Sequence, residues 1–342
     1  MQALDFKGAK VTIDHRPSKR PACSYPTESN TVPNAEQPLV RPWEDERYVG
    51  FADLLGYKAL TTGPKYSPEQ RFNLLHSAYV SLAIALNEVM EDPTLTPDVR
   101  LVQMSDSIFF TSRSAVKIVT AMATLFSTVF GVPAPLYDHE EPSEWWPFLR
   151  GAIVRDWIFE ARDYTVPNND QPRDAFRIPI GPAVARAYLL SESEDTRIEG
   201  MRLVCTNVVN NDFRRECDGL DGQTEFARRA RHLAPIYLKS EPTCGPIHEV
   251  PWLELQLQDG LARSMFQSLD LIESQFDGAM KHYRGTWDMI LRMPTIRQSE
   301  ELLAIAETRR TSVVQKMAGQ NWLKRGGKLW DDWTDWFAAE GK

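Results

Sequence analysis

The order of the predicted secondary-structure elements restricts the folds open to this chain. Apolar runs without an intervening charge predict buried strands, and apolar residues spaced alternately three and four apart predict helices. These patterns predict a strand over 47–53, a helix over 67–92, a hairpin over 100–112, a helix over 114–130, a strand over 148–159, a helix over 181–192 and a strand over 201–209. The resulting order, β-α-β-β-α-β followed by α-β, belongs to the α+β class.

Two flanking regions differ in composition from the segment between them. Residues 1–43 are polar and are interrupted by six prolines, which predicts an irregular N-terminal arm. Residues 44–250 contain the predicted strands and form the central domain. Residues 251–342 show a helical pattern, which predicts a C-terminal helical appendage. A docking or dimerising face is expected near its end, where tryptophans crowd at Trp322, Trp330, Trp333 and Trp336.

Composition excludes several classes of protein. A formal charge of −8, from 47 acidic and 39 basic residues, gives no indication of nucleic-acid binding. The 4 cysteines form no CxxC pair, so neither a disulfide framework nor a zinc site is indicated, and a reducing, cytoplasmic setting is expected. The chain has no run of about 18 apolar residues and no apolar N-terminal segment, so we expect neither a membrane span nor a signal peptide.

Two aspartates fall where a metal site can form. Asp53 ends the first predicted strand, and Asp106 lies at the tip of the predicted hairpin. In a β-α-β-β sheet these two positions can be adjacent, and carboxylates are the ligands that Mg²⁺ and Mn²⁺ prefer in phosphoryl chemistry. Two such aspartates suffice to bind two ions together with substrate phosphates. Each residue alone also fits an ordinary role, since aspartate is common at helix caps and turns.

The turn after Asp53 predicts a phosphate-binding segment. The backbone amides of Leu54, Leu55, Gly56 and Tyr57 can cradle phosphates, and the Leu54 carbonyl can also bind a metal. Strand alternation places Phe51 on the same face as Asp53, where its ring either borders the nucleotide or belongs to the core. The substrate-binding segment predicted from the sequence comprises Phe51, Leu54, Leu55, Gly56 and Tyr57.

Two arginines are candidates for contacting the substrate. Arg150 precedes Gly151 on a predicted strand, and Arg186 lies in the predicted helix over 181–192. A guanidinium binds phosphate bidentately and can donate to a pyrimidine carbonyl. The alternative for either residue is an ordinary surface ion pair.

Four segments resemble the ordered motifs of class III adenylate and guanylate cyclases. They are FADLLGY (51–57), MSDSIFF (104–110), LRGAIV (149–154) and GPAVARAYLLSE (181–192). Within that superfamily the chain looks most similar to the bacterial pyrimidine cyclases of Pycsar antiphage defence, which make cyclic UMP or cyclic CMP. The resemblance implies a ferredoxin-like palm with helices on one face, metal binding by Asp53 and Asp106, and a homodimer with sites at its interface.

The chain departs from the class III pattern in two places. The asparagine and arginine that stabilise the transition state in that family appear here as Ala185 and Leu189, and Arg186 is a possible substitute. A lysine that contacts adenine in adenylate cyclases, four residues before the second metal aspartate, appears as Val102. Valine has no hydrogen-bonding side chain, so a pyrimidine triphosphate is the expected substrate, with UTP favoured.

Other functions remain open at this point. Within the cyclases, the alternatives are a cytidylate cyclase and a purine-using class III enzyme. A related palm enzyme, such as a diguanylate cyclase or an oligonucleotide-making polymerase, would share two metal aspartates, although its hairpin sequence usually differs from MSDSIFF. An alternative of another class is a catalytically inactive, cyclase-like dimer that only binds nucleotide.

Overall fold

The fold comes from a computed structural model, which describes residues 46–55, 57, 61, 67–96, 98–131, 148–160, 179–192, 199–242, 244–258, 260–262, 265–266, 269 and 280–324. The predicted arm over 1–43 lies outside these residues. So do Gly56, the side chain of Trp322, and the tryptophans at 330, 333 and 336.

A seven-stranded sheet forms the centre of the molecule. In chain order its strands are β1 (Glu46–Leu55), β2 (Arg100–Met104), β3 (Ser107–Ser112), β4 (Phe148–Trp157), β7 (Leu203–Thr206), β8 (Ile236–Glu241) and β9 (Gly245–Glu249). A separate two-stranded ribbon pairs β5 (Phe159–Glu160) with β6 (Pro179–Ile180). The spatial order of the large sheet is β2-β3-β1-β4-β7-β9-β8.

The first four strands have the ferredoxin-like arrangement. β1 lies between β3 and β4 and is antiparallel to both, and β2 pairs with β3 at the edge. One helix connects β1 to β2 and another connects β3 to β4, which is the β-α-β-β-α-β path of that fold. The predicted α+β class and the ferredoxin-like palm are therefore confirmed.

Helices cover both faces of this sheet, whereas the sequence resemblance implied one face. Helices α1 (Pro68–Glu91) and α2 (Ala115–Gly131) share a core with Ala52 and Leu54 of β1. Helix α3 (Pro182–Glu192) packs on the opposite face, against Val49 and Phe51. Helix α1 begins where predicted, because Ser67 and Gln70 form a reciprocal capping box.

Part of the chain after α3 folds differently from the prediction. The strand predicted over 201–209 ends at Thr206, and helix α4 (Asn207–Asp218) begins there. Val209, Phe213 and Cys217 lie four residues apart and bury one face of that helix, so helical spacing prevails over the strand propensity of the valines. The hairpin of β8 and β9 was not predicted from the sequence, because proline, lysine and glutamate interrupt the alternation of apolar residues in these strands.

The helices beyond residue 250 pack into the same apolar core as the palm. Helix α5 (Glu225–His232) lies before residue 250 and precedes the hairpin of β8 and β9. The described helices beyond residue 250 are α6 (Glu254–Gln258), α7 (Met280–Ile290), α8 (Pro294–Gln298) and α9 (Glu300–Lys324). Trp252 is fully buried against Phe126 and Phe130 of α2. Among the described helices, none is both long and apolar enough to cross a membrane. The predicted boundary at residue 250 stays a prediction.

Candidate active site

The predicted site residues on the sheet converge at one end of β1. Asp53 is the register partner of Ser107 on β3 and of Arg150 on β4. Side chains at paired positions of an antiparallel sheet lie on the same face. The Ser107 hydroxyl donates to Asp53 Oδ1 at 2.9 Å. The strand pairing therefore brings Asp53 and Arg150 together, although 97 positions separate them in the sequence.

Asp106 reaches the same place through the turn between β2 and β3. Ser105 adopts a positive φ of 58°, which lets the two strands reverse tightly. The Asp106 carbonyl then accepts a hydrogen bond from the Leu54 amide at 3.1 Å, so the turn is fixed to the end of β1. Both predicted metal aspartates thus lie at neighbouring positions.

The electrostatics of Asp53 show that negative charge is concentrated here. Burial raises the pKa of Asp53 to about 6, and the nearby carboxylates of Asp106 and Glu192 add to this increase. The hydrogen bond from Ser107 and the charge of Arg150 oppose it. The Asp53 side chain is 15% exposed. A carboxylate that is desolvated and close to others is stabilised by a cation, so this site favours binding one.

Arg150 is held by a residue that the sequence analysis missed. Its Nη2 atom forms a close ion pair with Glu192 Oε1 at the end of α3, and the same atom lies 3.6 Å from Asp53 Oδ2. An acidic residue in the last turn of a helix opposes the helix dipole, which was the available signal that Glu192 needs a specific partner. Gly151 allows β4 to approach β1, since a Cβ there would lie 2.4 Å from the Phe51 carbonyl oxygen.

Arg186 lies elsewhere on the sheet. Its guanidinium pairs with Asp156 on β4 at 2.5 Å, and its side chain is 67% exposed. Asp156 is six residues beyond Arg150 along an extended strand, which corresponds to roughly 20 Å. Within one chain, the structure therefore does not bring Arg186 to Asp53.

Phe51 and Tyr57 occupy different environments. Phe51 is on the Asp53 face but is only 1% exposed, because Phe109 and Tyr188 cover its ring at centroid distances of 5.1 and 5.5 Å. Any contact with a base at this position would involve those covering rings. Tyr57 is half-buried, and its hydroxyl accepts a hydrogen bond from Tyr79 at 3.5 Å. Burial, then the contact with Tyr57, raises the pKa of Tyr79 to about 12.

The predicted phosphate-binding amides are only partly free for that role. The Leu54 amide donates to Asp106, so it fixes the hairpin and does not face a phosphate. The side chains of Leu54 and Leu55 are buried in the core. Gly56 lies outside the described residues. The Leu54 carbonyl stays a predicted metal ligand.

The donor set at this end of β1 fits a hard divalent cation. Asp53 and Asp106 supply carboxylate oxygens, and Mg²⁺ or Mn²⁺ sites in phosphoryl chemistry use one or two carboxylates plus substrate oxygens and water. Among the described residues, no group of three or more histidine, cysteine, aspartate or glutamate side chains forms a complete metal cage. Glu192 is engaged with Arg150. The remaining ligands would therefore come from substrate and water.

No family model and no curated protein matches the chain. Solved structures with similar folds include the guanylyl cyclase Cya2, which is 11% identical, covers 60% of this chain and 92% of its own, and has a TM-score of 0.39. A bacterial light-regulated adenylyl cyclase is 13% identical, covers 64% and 97%, and has a TM-score of 0.40. The adenylyl cyclase CyaB from P. aeruginosa is 13% identical, covers 60% and 93%, and has a TM-score of 0.37. Similarity of this low degree does not support a function for this chain beyond what its strand order and site geometry support.

Proposed function

We propose that this chain is a nucleotidyl cyclase that converts a pyrimidine nucleoside triphosphate, with UTP favoured, into its 3′,5′-cyclic monophosphate and pyrophosphate. The observation that carries the proposal is the pairing of Asp53 with the Asp106 turn at one end of a ferredoxin-like sheet. Carboxylates placed together on this fold match the metal-binding aspartates implied by the motif resemblance. The solved cyclases with similar folds are consistent with the proposal but do not carry it.

The proposed reaction gives a role to each residue of the candidate site. The ribose 3′-hydroxyl loses its proton to water as O3′ attacks the α-phosphorus of the same molecule. The bond from the α-phosphorus to the oxygen that bridges to the β-phosphate breaks, and pyrophosphate leaves with that oxygen. When bound, two Mg²⁺ or Mn²⁺ ions would activate the 3′-hydroxyl and neutralise the triphosphate. Asp53 and Asp106, with the Leu54 carbonyl, would hold these cations. Arg150 contacts the triphosphate or the base, which its planar fork suits.

A homodimer is part of this proposal. Ala185 and Leu189 occupy the positions where class III enzymes carry asparagine and arginine, and both are exposed on α3. Tyr188, beside them, is also exposed despite its large apolar ring. An apolar surface on the helix that borders the site fits contact with a second copy. In this proposal the second copy contributes the Arg186 that one chain does not bring to its own Asp53.

The preference for a pyrimidine is supported by the surface next to Asp53. Val102 on β2 pairs with Phe109 on β3, which pairs with Phe51 on β1. This row offers no hydrogen-bond donor or acceptor side chain for the edge of adenine. A site that reads a base edge discriminates steeply when its polar partners are missing. UTP is favoured over CTP because Arg150 can donate to a uracil carbonyl, whereas cytosine presents an amine at C4.

The motif resemblance also supports a biological role, the production of a second messenger in antiphage defence. The other functions considered from the sequence make different predictions for the product. A cytidylate or purine cyclase would release another cyclic monophosphate, a related palm enzyme would make linked nucleotides, and an inactive dimer would release nothing.

Identification of the product tests the proposal. The purified chain is incubated with all four nucleoside triphosphates at equal concentration and Mn²⁺, and products are identified by mass spectrometry. We expect cyclic UMP and pyrophosphate from the wild type and from Asp98→Asn, which alters an exposed aspartate paired with Lys117. Asp106→Asn should release neither. Preference for CTP would overturn only the choice of uracil, preference for a purine would overturn the pyrimidine claim, and absence of any cyclic product would overturn cyclase activity.

A further inference from the structure

A three-residue charge network joins α3 to the end of β1. Glu192 is the last residue of α3, and its carboxylate contacts the Arg150 guanidinium on β4. Arg150 lies between Glu192 and Asp53, because its Nη2 atom is close to Glu192 Oε1 and 3.6 Å from Asp53 Oδ2. A separation of 3.6 Å is beyond a normal hydrogen bond, so Arg150 interacts with Asp53 only through charge.

The Arg150 guanidinium has little else among the described residues to hold it. Its Nε atom is buried and makes no hydrogen bond within the part of the chain that the structure describes. A buried donor without a partner is unfavourable, so the Nε atom contributes no bond that fixes the guanidinium in its present position. Asp53 is the nearest carboxylate after Glu192, and a shift of less than about 1 Å would bring Arg150 into hydrogen-bond range of it.

We propose that Glu192 is a positioning residue that holds Arg150 away from Asp53 and so keeps the Oδ2 atom of Asp53 free for the metal. The inference rests on the proposed function, since it takes Asp53 and Asp106 as metal ligands. Without the Glu192 carboxylate, Arg150 forms a direct charge-assisted hydrogen bond to Asp53. A cation must then displace that arginine before it binds.

Glu192 could influence metal binding in two ways, either by positioning Arg150 or directly through its own negative charge. If Glu192 acted as a metal ligand or simply as a nearby negative charge, its removal would weaken metal binding whether or not Arg150 were present. If it acts by positioning Arg150, the effect disappears once Arg150 is replaced. A double-mutant cycle separates these two roles, because residues that act through one another give non-additive effects.

Direct measurement of Mn²⁺ binding provides the test without relying on turnover. Free Mn²⁺ is titrated against the purified full-length chain by electron paramagnetic resonance, for wild type, Glu192→Gln, Arg150→Met and the double variant. The matched control is Glu46→Gln, which removes one carboxylate from an exposed ion pair with Arg155 on the same two strands. Circular dichroism and thermal unfolding establish that each variant is folded.

The expected results are specific. Glu192→Gln should raise the Mn²⁺ dissociation constant by about tenfold, within the range of coupling between contacting residues. In the Arg150→Met background the same substitution should change it by less than about twofold, and Glu46→Gln should leave it unchanged. In the cyclase assay, Glu192→Gln should raise the Mn²⁺ requirement more than it lowers the rate at saturating Mn²⁺.

Three results would overturn the inference in distinguishable ways. A tenfold effect that persists in the Arg150→Met background would show that Glu192 acts on the metal directly, and the proposed cyclase function would stand. If Glu192→Gln binds Mn²⁺ as tightly as the wild type does, Glu192 has no effect on metal binding and the inference fails. The proposed cyclase function would again stand. If the wild type and Asp53→Asn both fail to bind Mn²⁺ even with a nucleotide present, the metal assignment itself is wrong, and the proposed function fails with the inference.

Discussion

The two ends of the β1–β4 pair each carry a carboxylate close to an arginine, but the carboxylates are bonded very differently. At the end away from the candidate site, Asp212 of α4 accepts hydrogen bonds from Tyr48 at 2.9 Å, Arg155 at 2.8 Å and Arg215 at 2.6 Å. Its side chain is 7% exposed. This carboxylate is buried and well supplied with donors, so it joins α4 to both strands.

Asp53, at the other end, has one such donor. It accepts from Ser107, whereas Arg150 stays 3.6 Å away and contacts Glu192. Burial without compensating donors raises the pKa of Asp53 to about 6. Burial and the contact with Asp212 also raise the pKa of Tyr48, which therefore stays a neutral donor. The number of hydrogen-bond donors therefore distinguishes a structural carboxylate from one that is available to a ligand.

The largest expected difference between the two ends is in activity. Asp53→Asn should lower turnover by about a thousandfold, because a metal ligand contributes several kcal/mol to the transition state. Asp212→Asn should leave turnover per folded molecule within about threefold, since it acts on stability and not on the reacting atoms. Steady-state assays at saturating Mn²⁺ and well below the melting temperature provide the measurement. Equal losses for the two variants would contradict the division of roles.

The second expected difference is in the free energy of unfolding, and here Asp212→Asn should have the larger effect. Asp212→Asn should lower the free energy of unfolding by about 3 kcal/mol, because it leaves the buried Tyr48 hydroxyl and the part-buried Arg155 guanidinium without their charged acceptor. Metal-free Asp53→Asn should not lower it, since it removes a charge that the fold does not compensate. Urea denaturation followed by circular dichroism gives both values. A destabilised Asp53→Asn would mean that Asp53 also supports the fold.

Features set by local sequence could be predicted, whereas contacts between distant segments could not. Asp53 and Asp106 were found because strand ends and turns are visible in the local pattern of apolar and polar residues. Their closeness followed from the β-α-β-β order. Glu192 and Asp212 were missed because each comes from a helix that packs across the sheet, and no local pattern shows which strand residue a helix end meets. Arg186 was judged by residue type alone, and its partner Asp156 lies at a different position along β4.

Helix α4 illustrates the same limit. The run from Leu203 to Val209 favours a strand by propensity, and its division at Thr206 depends on burying Val209 and Phe213 against α2. Tertiary packing of this kind overrides β propensity, which is itself context-dependent. Asp212 lies on that helix, so its structural role could not be predicted while the helix was assigned as strand and loop.

The third expected effect is smaller and concerns how the free energy of unfolding depends on pH at the Asp53 end. The folded pKa of Asp53 is about 6, above its ordinary value of 3.8, so the folded state binds a proton more tightly than the unfolded state. Its contribution to stability is full at low pH and is lost as the pH rises from about 4 through 6. Metal-free wild type should therefore lose about 2 kcal/mol relative to Asp53→Asn between pH 4 and 7.5.

Urea titrations of both proteins in the presence of a chelator, at several pH values, would give this difference directly. Asp106→Asn should show a smaller pH-dependent difference of the same sign, because it removes one of the lesser causes of the raised Asp53 pKa. A difference between wild type and Asp53→Asn that stays constant across this pH range would show that the Asp53 carboxyl titrates normally. The shortage of donors at the site end would then have no energetic consequence.

The smallest expected effect is at the outer edge of the structural end. Glu46 pairs with Arg155 at 2.5 Å, but its side chain is 41% exposed. An exposed pair is screened by water and salt, so Glu46→Gln should lower the free energy of unfolding by less than about 0.5 kcal/mol. The Asp212→Asn loss should be several times larger, although both substitutions remove one carboxylate from the same arginine. Urea titrations at low and high salt would compare them. If Glu46→Gln cost as much as Asp212→Asn, the hydrogen bonds of the buried carboxylate would not explain its structural role, and the net charge around Arg155 would explain it instead.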